Sequence, residues 1–168
     1  LVNDITTDYS LPEASMESFI GAHTGLILSL DKPIKKYCFD GTRLFLSAGD
    51  KEVSCYSVDT GIPSDGETFH FNSSIELSGN VSGIFCDLGD DSRAGTVIIG
   101  LDSFEWVKAT FYNDYEEKEP VVVHSAQASS ALIDVLYADD EINSGLYFGV
   151  FQDGQINVLN LYYGALED

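Results

Sequence analysis

One pattern occurs three times in this chain and restricts its fold more than any other feature. "RLFLSAGDKEVSCYSV" (Arg43 to Val58), "TVIIGLDSFEWVKATF" (Thr96 to Phe111) and "LYFGVFQDGQINVLNL" (Leu146 to Leu161) share one layout. Each runs from an apolar stretch through a tight polar turn into an alternating apolar and polar stretch, the period-2 signature of paired strands. Asp153-Gly154 in the third segment is a short-range mark of such a hairpin. With the turns aligned, Val53, Trp106 and Ile156 fall into register at intervals of about 50 residues. A further strand-like piece precedes each hairpin: "IKKYCFD", "VSGIFCD" and "LIDVLYAD", ending at Asp40, Asp87 and Asp139. After the first two hairpins come "ETFHFNSSIEL" and "PVVVHSA". One repeat therefore reads as four strands.

Four antiparallel strands per repeat is the unit of a β-propeller blade. The chain is expected to be all-β, with residues 1–20 as an N-terminal arm and 21–168 as three four-stranded blades. "LPEASMESFIG" (Leu11 to Gly21) has room for one short helical turn, and 61–67 and 113–120 read as long connections. Three blades are too few for a ring, because closed propellers have roughly 4–8. The two end blades would leave apolar faces open, so further blades must come from a larger chain, a partner or a second copy. The competing fold is a β-trefoil or another small β-barrel, which completes a domain from three repeats.

The segments "FDGTRLFLSAGDKEVSCYSVDTG" (Phe39 to Gly61) and "SGLYFGVFQDGQINVLNL" (Ser144 to Leu161) resemble WD40-type propeller blades. "GAHTGLILSL" (Gly21 to Leu30) is similar to the Gly-His turn that precedes the first strand in that family. Where the family often has Trp-Asp, this chain has Tyr56-Ser57, Ala109-Thr110 and Leu159-Asn160. The resemblance implies a scaffold for protein contacts, without catalysis and without a cofactor.

Charge narrows the partners. Of 168 residues, 28 are Asp or Glu and 8 are Lys or Arg, giving a net charge of −20. Phosphate backbones and anionic membranes are bound by basic patches, so neither nucleic acid nor membrane is expected. A basic protein surface suits this chain. In a four-stranded meander, the turns after the first and third strands leave from one edge of the sheet. Sixteen of the 28 acidic residues fall in those turns and in the tail. The densest groups are Asp87, Asp90 and Asp91, then Glu116, Glu117 and Glu119, then Asp139, Asp140 and Glu141. They make a candidate docking rim, set against the plain reading of a solvated negative edge. Calcium at "DLGDDS" or "ADDE" is a third reading, although no EF-hand spacing is present and no metal site is assigned.

Other chemistry is sparse. There is no HExxH, Walker or GxSxG motif, and His23, His70 and His124 form no constellation. His70 and His124 read as structural, and Trp106 is expected to pack between blades. Cys38, Cys55 and Cys86 include no CxxC pair and are placed on strands that are not neighbours, so no intrachain disulfide is expected. That favours a cytoplasmic or nuclear protein. Two Asn-X-Ser sequons, at Asn72 and Asn80, point instead to secretion, in which case a trefoil-like carbohydrate-binding or inhibitor module is the alternative. No apolar run reaches the length of a membrane helix. The chain opens on Leu1, as a processed chain or a piece of a longer one does.

Overall fold

The computed structural model describes residues 30–58, 69–86, 95–112, 118–140 and 143–159, which hold eleven strands and no helix. The first sheet is β1 (Lys36–Phe39), β2 (Arg43–Ser47), β3 (Glu52–Val58) and β4 (Phe69–Glu76). The second is β5 (Val81–Cys86), β6 (Gly95–Leu101), β7 (Glu105–Phe111) and β8 (Val121–Gln127). The third holds β9 (Leu132–Asp140), β10 (Asn143–Phe151) and β11 (Ile156–Leu159). Every pairing is antiparallel and sequential, so each sheet is a meander. These are separate sheets, as in propeller blades, and not the strands of one trefoil barrel. The expected arm, the helical turn, His23 and any fourth strand after Leu159 lie outside the described residues.

Val53, Trp106 and Ile156 do stand at the start of the third strand of successive sheets. Because side chains alternate across a strand, each repeat sends one set of residues toward the next blade and the other toward the previous one. Phe45, Val53 and Cys55 of the first blade meet Val97, Ile99 and Phe111 of the second in one core cluster. The rings of Phe45 and Phe111 touch edge to face, with centroids 5.2 Å apart. Ile98 and Trp106 use the other face of the second blade to meet Leu132, Phe151 and Leu159 of the third. Trp106 thus packs between blades, with the His124 ring 5.2 Å away. Covered on both sides, β6 is buried at nearly every position along "GTVIIGL".

The first strands of successive blades lie side by side, β1 against β5 and β5 against β9. This arrangement overturns the expectation about the cysteines. Cys38 of β1 and Cys86 of β5 form a disulfide, with Cα atoms 5.9 Å apart. Pairing order within one sheet keeps the first and third strands apart, but it says nothing about two first strands meeting at the hub. Cys55 is a buried thiol, as expected.

Candidate interaction surfaces

The two edges of the sheets use their carboxylates differently. At one edge, the turns between second and third strands carry Asp50, Asp102 and Asp153. Each grips the segment that enters the first strand of its own blade. Asp50 accepts a hydrogen bond from Lys32 Nζ at 2.7 Å. Asp102 accepts from Asn80 Nδ2 at 2.9 Å, and Asp153 from Ser129 Oγ at 2.8 Å. Backbone bonds repeat the tie, Asp102 N donating to Asn80 O and Gln152 N to Ala131 O, both at 2.9 Å. The hydrogen bond from Lys32 holds the Asp50 carboxyl below the ordinary aspartate value, and that from Ser129 does the same for Asp153. These acids serve the fold.

At the other edge, β1, β3, β5, β7 and β9 end and their successors begin. Asp40 stands there, turned inward. Its Oδ1 accepts from the backbone N–H groups of Thr42 at 2.9 Å and Arg43 at 2.6 Å, and its Oδ2 accepts from Arg43 Nε at 2.9 Å. Both side chains of this ion pair are nearly buried. Burial pushes the Asp40 carboxyl up, but the two backbone donors and the Arg43 charge outweigh it and hold the group below its ordinary value. Arg43 packs against the second blade at Gly95, where a Cβ would come within 2.9 Å of Arg43 Nε and of the Phe45 ring. Asp40 is therefore a structural pin within the expected rim.

Of the candidate rim residues, Glu119 is exposed just ahead of β8. Asp139 and Asp140 belong to the end of β9, with Asp140 paired to Asn143, so they extend the strand where a turn was expected. Asp87, Asp90, Asp91, Glu116, Glu117 and Glu141 lie outside the described residues, as does the whole of "DLGDDS". Among the described residues, no three metal-ligating side chains come together. No helix there is long and apolar enough to cross a membrane.

The outer faces of the end blades are the second surface. On the third blade Leu136, Ile156 and Val158 are exposed beside half-buried Phe148 and Val150. On the first, Tyr37, Phe39 and Phe71 are exposed, with the Tyr56 ring 5.7 Å from that of Phe71. Next to them a cavity of about 240 Å³ runs between Pro33-Ile34 and Leu46, Glu52 and Tyr56. Ile156 was legible as a blade-facing position; the aromatic set on the first blade was not, because β1 and β4 lack clean alternation.

No family model matches the sequence, and no curated protein matches it. Solved structures do match the fold. Crystal structures of BBS1N in complex with ARL6DN, soaked with lead or with mercury, superpose with TM-scores of 0.60 and 0.57 at 12% identity. They cover 84% and 80% of this chain and 39% of that one. The WD40 domain of SCAP from fission yeast superposes with a TM-score of 0.53 at 14% identity, over 77% of this chain and 29% of that one. The shared fold is the β-propeller. This chain spans 39% of BBS1N and 29% of the SCAP domain.

Proposed function

We propose that this chain is a non-enzymatic, protein-binding part of a β-propeller, closed by further blades on its open faces and docking a basic protein on its acidic edge. One observation carries the first half. Val53 and Trp106, which face the next blade, are 0% and 6% exposed, whereas their counterpart Ile156 is 61% exposed. A blade cannot bury its own faces, so this surface is built for a neighbour of the same kind. The match to a little over a third of a propeller structure agrees with that. The acidic edge rests on charge. A net −20 with its acids concentrated in the connections at one edge favours encounter with positive surfaces. That BBS1N was crystallised with a protein partner, ARL6DN, supports a binding role over a catalytic one.

The test of the docking reading is kinetic. Long-range attraction acts on encounter more than on the docked contact. Association of the chain with a lysine-rich peptide, followed by stopped-flow fluorescence, slows as salt rises. Changing Asp90, Asp91, Asp139 and Asp140 to Asn slows it further, while the same number of neutralising changes at the turns of the opposite edge does little. Rates indifferent to salt and to the four Asn substitutions reduce the rim to a solvated edge.

A further inference from the structure

Two buried side-chain hydroxyls, those of Ser73 and Ser82, have no hydrogen-bond partner among the described residues. A buried polar group left unsatisfied costs about 1–3 kcal/mol, so the fold gains nothing from the Ser82 hydroxyl. Ser82 is, however, the third residue of Asn80-Val81-Ser82, and N-glycosylation requires a hydroxyl there. The disulfide between Cys38 and Cys86 is an independent observation, since such bonds form and persist in oxidising compartments. From these we infer that the chain matures in an oxidising, glycosylating compartment and carries an N-linked glycan on Asn80, not on Asn72.

The surroundings of the two sequons differ in the way this assignment needs. Asn72 lies inside β4, where its Nδ2 donates to Ser57 Oγ at 3.3 Å and to the Tyr112 carbonyl of the second blade at 3.2 Å. Both of its amide hydrogens are engaged, and a glycan there would wedge two blades apart. Asn80 is exposed in the connection between β4 and β5, and its Nδ2 donates one bond, to Asp102. In the transfer step the Asn80 amide nitrogen bonds to the anomeric carbon of a lipid-pyrophosphate-linked oligosaccharide. The carbon–oxygen bond to the pyrophosphate breaks, the lipid pyrophosphate leaves with the electron pair, and one amide proton passes to a base of the transferase. The resulting secondary amide keeps one N–H, which suffices for Asp102. For the disulfide, two thiols give two protons and two electrons to the disulfide of an oxidoreductase, which becomes a dithiol. Asn80 sits at the edge away from the acidic connections, so a glycan there leaves that edge and the open faces uncovered.

The chain isolated from its native cells, with thiols alkylated at lysis, is digested without reduction and treated with the amidase that converts glycosylated Asn to Asp. The expected result is conversion at position 80 only, a Cys38–Cys86 linked peptide, and alkylation of Cys55. Unmodified Asn80, a glycan on Asn72, or alkylated Cys38 and Cys86 overturns the inference. In cells secreting the chain, Ser82→Ala should abolish the glycan without lowering the thermal midpoint. A midpoint below that of the unsubstituted chain stripped of its glycan would show that the hydroxyl serves the fold, and would overturn that part of the inference.

Discussion

The second and third blades begin their third strands with residues in the same place, yet Trp106 is buried and Ile156 exposed. Their strands are paired alike, Trp106 opposite Gly100 and Ile156 opposite Val150. Only the neighbours differ. The second blade is covered on both faces, and β7 buries Trp106 toward one side and Val107, Ala109 and Phe111 toward the other. The third is covered on one, and of β11 only Leu159 is buried. Alternation makes a strand; a neighbouring blade makes it core. The turns show a second contrast. Phe104 and Gly154 both donate from the backbone N–H to the residue three back, Leu101 and Phe151, at 3.0 Å. Gly154 does so at φ 87°, a left-handed conformation natural to glycine, whereas Phe104 holds φ 65° with a side chain in place.

The largest expected effect breaks the burial contrast directly. Trp106→Ala should lower unfolding free energy by about 3–5 kcal/mol, and Ile156→Ala by less than about 0.5, in urea titrations of the isolated chain. Equal losses would mean that something covers the third blade. Next comes the clasp between the first two blades. Replacing Cys38 and Cys86 by Ser, a pair 48 residues apart, should remove roughly 3–4 kcal/mol by chain entropy, read as a lower thermal midpoint that reductant no longer changes.

Asp40→Asn removes the charge of a nearly buried ion pair with Arg43 and should cost on the order of 1–3 kcal/mol. The pH dependence has a definite sign. With the folded carboxyl held below its ordinary value of 3.8, its contribution is complete above that value and is lost as pH falls through the lower folded pKa. Urea midpoints should therefore fall from pH 5 toward about pH 3 in the native chain, and fall less in Asp40→Asn. The smallest effects sharpen the turn contrast. Phe104→Gly should stabilise by up to about 1 kcal/mol, and Gly154→Ala should destabilise by a similar amount, since a Cβ there meets nothing and only the backbone resists. Matching signs in the two turns would show that they are not equivalent.

Strand positions, the place of each hairpin turn and the interblade role of Trp106 follow from the sequence alone. Alternation and turn chemistry act within about ten residues and need no knowledge of neighbours. The edge from which the acidic connections leave also follows, because antiparallel order determines it. Tertiary structure decided the rest. It brought Cys38 to Cys86, turned Asp40 inward onto Arg43, and engaged Asn72 while leaving Asn80 exposed. Each of these depends on how one blade lies against another. Local pattern cannot carry that, because contacts between blades join residues dozens of positions apart.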